Sequence, residues 1–191
     1  DSVSTADLSE LEPQLARGTD GPISALLVPD EAQIRNPRHV QALVAACGKA
    51  RVLITPHVAL GEIRVGDGGL ATIETNVGSL TARQFCFCAG AWTGQLLQRL
   101  GIPTGILPIR GQMVLFQCAS PPLKRIVNVG SRYLVARDDG HVLAGSTEEE
   151  VGFDKRTTDE VISDLIGFAH GLAPVLRQAI VERTWAGLRP G

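Results

Sequence analysis

The 191-residue chain lacks most of the spacings that announce a chemistry. Its four cysteines, Cys47, Cys86, Cys88 and Cys118, include no Cys-x-x-Cys, so their pattern points to neither a zinc site nor a disulfide framework. Three lie in apolar segments, and the expectation is buried, reduced thiols in a reducing compartment, the cytoplasm. No apolar run approaches the roughly 18–20 residues that cross a bilayer. No dense Lys/Arg run is interleaved with aromatics, and the formal net charge is −2, so membrane and nucleic-acid partners are not expected. His39, His57, His141 and His170 share no metal-ligand spacing, and Ser146 lacks the second glycine of a nucleophile elbow. Gly66-Asp-Gly-Gly69 lies between two strand-like segments and opens no helix, which excludes a phosphate loop. Asp1 to Asp7 contain no initiator Met or signal-peptide core, and Arg183 to Gly191 read as a strand entering a turn, so a piece of a longer protein is expected.

What is present is a globular composition, 44% hydrophobic and 20% charged, enough for one sizeable core or two small ones. Asp7 to Leu15 resemble a short acidic helical turn, and Ile23 to Val28 a short strand. A helix follows, with Asn36 as its cap, Pro37 in the first turn, Val40, Leu43, Val44 and Cys47 on one face, and Gly48 at its end. Val52 to Thr55 read as a buried strand; Val58 to Val65, Leu70 to Val77 and Ser79 to Phe87 read as an antiparallel meander turning at Gly66-Asp-Gly-Gly69. Phe85 to Ala89 are apolar on both faces, as in a strand covered on both sides, and lead through Gly90 into a helix carrying Trp92, Leu96 and Leu100 and stopped by Gly101.

A long strand from Ile106 to Phe116 comes next, then a hairpin of Arg132–Arg137 and His141–Ser146 around Asp138-Asp139-Gly140. Thr157 and Glu160 form a capping box for a helix with Val161, Leu165, Phe168 and Leu172 on its apolar stripe. Ile180 to Leu188 form the last strand. The reading is a mixed α/β (α+β) chain with interleaved domains, one containing an antiparallel sheet around Met113, Tyr133 and Val142.

Four features are candidates for binding. Arg189 ends an apolar strand; its planar fork suits a small carboxylate, although an internal salt bridge is the commoner explanation for such an arginine. Tyr133, the only tyrosine, either donates to the same anion or packs in a core. Ala89 and Gly90 join a strand to a helix start, where small residues admit a ligand to backbone N–H groups or simply allow close packing. Glu148-Glu-Glu150 is either a solvated loop or the mouth of a site.

Pro29-Asp-Glu-Ala-Gln-Ile-Arg-Asn-Pro37, Cys88-Ala-Gly-Ala-Trp-Thr93, Pro108-Ile-Arg-Gly-Gln112, Tyr133-Leu-Val-Ala-Arg137, Gly145-Ser-Thr-Glu-Glu149, Val151-Gly-Phe-Asp154 and Trp185-Ala-Gly-Leu-Arg-Pro190 occur in an order that resembles the D-amino-acid oxidase superfamily. Within it the likeness is to glycine oxidases of the thiamine-synthesis type. The resemblance implies an FAD-binding domain interleaved with a substrate domain that carries an antiparallel sheet. It implies oxidation of glycine or another small amino acid to an imine, with O2 reduced to H2O2 and the imine feeding thiazole synthesis. A related dehydrogenase or a sarcosine-type oxidase is the alternative. Carried over residue by residue, Arg189 binds the substrate carboxylate, Tyr133 assists it, and Val58, Ala89 and Gly90 lie along FAD. No residue is assigned to catalysis and none to a metal.

The substrate domain would take 1–36 and 104–191, and 37–103 would be part of the FAD domain. The superfamily's Gly-x-Gly-x-x-Gly fingerprint is absent from the 191 residues, so the chain alone is expected to bind FAD weakly or not at all and to be inactive. A reading from another class is a binding module whose uncovered apolar face favours homo-oligomers.

Overall fold

The computed structural model describes residues 2–16, 24–66 and 71–191. The chain forms two compact units, Asp1–Gln33 with Leu107–Gly191, and Ile34–Ile106. In chain order, the first unit begins with β1 (Ser2–Val3), α1 (Thr5–Leu11) and β2 (Ala25–Leu26). The second unit holds α2 (Asn36–Lys49), β3 (Leu60–Val65), β4 (Ala71–Thr75), β5 (Gly78–Ala82) and α3 (Thr93–Gln98). The first unit resumes with β6 (Pro108–Gln117), β7 (Ile126–Val129), β8 (Arg132–Ala136), β9 (His141–Gly145), α4 (Asp159–Leu172) and β10 (Ile180–Pro190). All strand pairs are antiparallel, so the fold is mixed α/β with antiparallel sheets.

The first unit is built on a five-stranded sheet in the order β10-β6-β9-β8-β7. Along β6 the even positions Arg110, Gln112, Val114 and Phe116 are buried and the odd positions are half-buried, the period-two signature of a strand with one face on a core. That face packs against α4 through Leu165 and Ala169, and Leu134, Val142, Ala144 and Leu176 complete a shared core. Fully burying one such large apolar side chain contributes about 1.5–3 kcal/mol.

The expected hairpin forms between β8 and β9. Gly140 in its turn has φ of 86°, and a Cβ there would lie 2.7 Å from the carbonyl oxygen of Cys118, so both conformation and space require glycine.

The expected capping box does not form. The residue before α4 is Thr158, without a side-chain cap bond. Its amide donates to Gln112 Oε1 at 2.9 Å and its hydroxyl accepts from Gln112 Nε2 at 3.2 Å, so a residue on β6 takes the place of the local partner.

In the second unit β3, β4 and β5 form the expected meander, each strand shorter than its apolar pattern. Asp67 to Leu70 of the expected turn, and Ile23 of the first expected strand, lie outside the described residues. Asn36 is the first helical residue of α2 and not its cap; Arg35 precedes the helix, and Gly48 lies within it. Two expected strands do not form: Val52–Thr55 and Phe85–Ala89 pair with no neighbour among the described residues. A strand needs a partner for its ladder of backbone groups; here the Val52 amide donates to the Cys47 carbonyl at 2.9 Å and the Ala89 carbonyl accepts from the Trp92 amide, both local bonds, and Leu53 is 89% exposed.

The same lack of cover corrects the cysteine expectation. All four are free, but Cys86 and Cys88 are exposed, and Cys47 and Cys118 are only half-buried. No helix among the described residues is long and apolar enough to cross a membrane.

Candidate functional site

The odd positions of β6 point away from α4 and line the other face of the sheet. Trp185 lies opposite Met113, Gly187 opposite Gly111, and Arg189 opposite Ile109. On the far side Tyr133 pairs with Gly145. A side chain at Gly145 would overlap the Met113 thioether and reach 3.2 Å from the Tyr133 oxygen, so glycine lets Met113 and Tyr133 close over it. The Tyr133 hydroxyl is 3.6 Å from Met113 Sδ. Tyr133, Met113 and Trp185 are half-buried, which gives the face an apolar floor with one hydroxyl.

Arg189 stands at one end of this face with its side chain 44% exposed. Its Nη2 donates to the Thr147 carbonyl and, at 3.5 Å, to Ser146 Oγ. Glu148 approaches the same nitrogen at 3.6 Å with its own side chain 69% exposed, an ion pair that solvent screens heavily. Nη1 and Nε have no partner among the described residues. The internal salt bridge is therefore real but occupies one corner of the guanidinium, and the rest of a rigid, permanently charged fork is presented outward.

Beneath Arg189, on the α4 side, lies a polar cluster that reading the sequence did not identify. Arg110, 4% exposed, donates from Nη2 to Glu149 Oε2 at 2.6 Å and from Nη1 to the Arg156 carbonyl at 3.0 Å. The fully buried Gln112 donates to Glu149 at 3.0 Å, and the Thr147 hydroxyl donates to the same carboxylate. Burial pushes the Glu149 carboxyl up, but hydrogen bonds from Arg110, Thr147 and Gln112 outweigh it and hold the group below the usual carboxylate range. Asp154 is lowered to about 2, chiefly by hydrogen bonds from the Arg156 side chain and backbone. The available signal was the alternation of β6, which puts an arginine and a glutamine on the buried face where polar groups must find partners.

The other three candidate residues lie in the second unit. Val58 and Ala89 are half-buried and Gly90 is exposed. Ala89 accepts from the Trp92 amide at 3.1 Å at the start of a short 3-10 turn. Gly90 has φ of 55°, and a Cβ there would meet nothing within 4 Å, so its backbone conformation calls for glycine and close packing does not. The open Cα leaves bare, uncovered backbone at this turn. Arg189 and Tyr133 thus share one sheet face of the first unit, and Val58, Ala89 and Gly90 belong to the second.

The model of the family described as FAD dependent oxidoreductase (DAO) matches residues 2–191. A glycine oxidase of Pseudomonas putida is 39% identical over 173 residues, covering 87% of this chain and 46% of that protein. A glycine oxidase of Pseudomonas aeruginosa is 39% identical over 162 residues, covering 84% of this chain and 44% of that protein. The crystal structure of glycine oxidase from Geobacillus kaustophilus superposes with a TM-score of 0.91 at 26% identity, covering all of this chain and 50% of that one. The chain spans about half the length of the relatives it matches.

Proposed function

The chain belongs to the FAD dependent oxidoreductase family (DAO), whose cofactor is FAD, and from this we propose that the full protein oxidises glycine or another small amino acid with O2. The observation that supports this most is the half-exposed Arg189 guanidinium, tied at Nη2 and free at Nη1 and Nε, at the edge of a face that also carries Tyr133. A small carboxylate meets such a fork with two parallel charge-assisted bonds, and the Tyr133 hydroxyl is a further donor. Met113 and Trp185, both half-buried, supply the apolar surface of the same face.

Val58, Ala89 and Gly90 are the residues of this chain that we assign to FAD. Bound there, FAD would supply the two-electron acceptor for oxidation of an amine to an imine, with O2 as the final oxidant and H2O2 as its product. The part of the chain is to orient: an anchored carboxylate fixes the Cα, and no protein acid or base is required for hydride transfer. We assign the imine to thiazole synthesis and the protein to the cytoplasm, where four free thiols are at home.

The test uses the full-length flavoprotein. Arg189→Ala should lower kcat/KM for glycine by about 2–3 kcal/mol, roughly 30- to 150-fold, and undiminished turnover would end the assignment. H2O2 formed stoichiometrically in air separates an oxidase from a related dehydrogenase. A second reading, that the 191-residue chain alone is a self-associating module without activity, is favoured by the exposed Val40, Leu43, Val44 and Leu53 of the second unit. Titration of FAD into the isolated chain decides it, since a shifted flavin spectrum contradicts that reading.

A further inference from the structure

We propose that Arg110, Glu149 and Thr147 are positioning residues for Arg189: from the buried side of the sheet they hold the 146–149 strap so that its backbone fixes the guanidinium over Gly111. The inference rests on Arg189 being the partner of the substrate carboxylate. Its basis is that Thr147 faces both ways. Its carbonyl accepts from Arg189 Nη2, whereas its hydroxyl donates to Glu149 and accepts from the Gln112 amide at 3.0 Å.

The strap is also sewn to β6 by a reciprocal pair of backbone bonds, Arg110 N to Glu149 O at 2.9 Å and Glu149 N to Arg110 O at 3.0 Å. The Glu149 carboxylate is then saturated by Arg110, Gln112 and Thr147, all on the α4 side. Arg110 is in turn held by the Arg156 carbonyl and lies 3.5 Å from Asp154, so the strap is tied at its far end as well. Arg110 Nε finds no partner among the described residues, so this buried ion pair adds little net stability relative to an apolar pair, but it fixes geometry. Here the geometry fixed is that of the carbonyl under Arg189.

Gly111 sets the height on the other side. A Cβ at this position would stand 3.2 Å from the Thr147 carbonyl oxygen and 3.3 Å from Arg189 Nη2. Both contacts are tighter than ordinary packing, so even a methyl group would wedge the guanidinium away from the strap by a few tenths of an ångström. Gly111 sits within β6, paired to Gly187, where an alanine backbone is unstrained. The wedge therefore acts on the Arg189 guanidinium and on the Thr147 carbonyl that holds it.

The experiment uses the full-length flavoprotein and glycolate, which is glycine with a hydroxyl in place of the amine, as a carboxylate probe read by flavin absorbance. Glycine KM and kcat and the thermal midpoint are measured alongside. Glu149→Gln, Thr147→Val and Gly111→Ala should each weaken glycolate binding about tenfold and raise the KM for glycine more than they lower kcat. Thr147→Ser, which keeps the hydroxyl, should restore binding to near the parent value. If these variants lower only the thermal midpoint and leave the glycolate Kd unchanged, the residues are structural and the proposal is overturned. Should Glu149→Gln or Thr147→Val fail to fold, Gly111→Ala carries the same decision. Arg189→Ala separates the two levels: an unchanged glycolate Kd in that variant removes the clamp itself, whereas loss of binding there with none in the other variants removes only the positioning role.

Discussion

The two units carry similar apolar patterns and use them differently. In the first, the stripe of α4 and the even positions of β6 close on each other, and Val114, Phe116, Leu134, Val142, Leu165 and Leu176 are fully buried. In the second, α2 has an apolar stripe at helical spacing but no buried residue, and Val52, Leu53 and Ile54 are exposed. Only Ile73 and Ala91 of that unit are buried apolar residues among those described. An amphipathic pattern states which face wants burial and does not supply the surface that buries it. The difference teaches that the candidate substrate face rests on a unit with its own core, whereas Val58, Ala89 and Gly90 sit in one whose apolar side chains lack cover.

The strongest test of this contrast is a cavity. Phe116→Ala should destabilise the chain by about 3–5 kcal/mol in urea unfolding, because α4 and the sheet meet on that ring. A cost below about 1 kcal/mol would mean that the core does not act as a unit. Gly140→Ala should cost about 1–3 kcal/mol, since it forces a left-handed φ and a clash with the Cys118 carbonyl. The denaturation midpoint reads it, and a neutral result would show that the hairpin turn can rearrange.

Acid offers a gentler probe. Asp154 is lowered to about 2 from an ordinary 3.8, so its contribution is complete above about 4 and is lost as the pH falls toward 2. Glu149 shifts in the same direction, and these two residues of the 146–158 loop accept from arginines, Glu149 from Arg110 of β6 and Asp154 from Arg156. Limited proteolysis should therefore cut this loop before the rest of the first unit as the pH drops below about 4, with protection restored on neutralisation. Cutting that is equally fast at neutral pH would contradict it. The smallest effect is expected at Leu53→Ser, within about 0.5 kcal/mol, because an 89% exposed side chain has little burial to lose. A large loss there would erase the contrast between the units.

The sequence made β6, the β8–β9 hairpin, α4 and β10 legible because each is coded locally, by alternation, by Asp-Gly or by a 3.6-residue stripe. It overstated Val52–Thr55 and Phe85–Ala89 for a related reason. Apolar runs declare a wish for cover, and neither run finds a neighbour to pair with among the described residues. Arg189 and Tyr133 were legible as residues of a recognisable pattern, but their company was not. The capping box at Thr157 and Glu160 failed because Gln112, 46 positions before Thr158, competes for the same helix start.

The sequence by itself determined the family, through motifs in a fixed order that the family match spans end to end, and the alternation that sorts β6 into a buried and a half-buried face. Only the tertiary structure decided what holds Arg189. The Thr147 carbonyl is 42 residues away from it, and Glu149 lies 39 residues from Arg110. Periodicity reports on neighbours a few residues apart, whereas these contacts arise where antiparallel pairing brings distant segments into register, and no local spacing encodes that meeting.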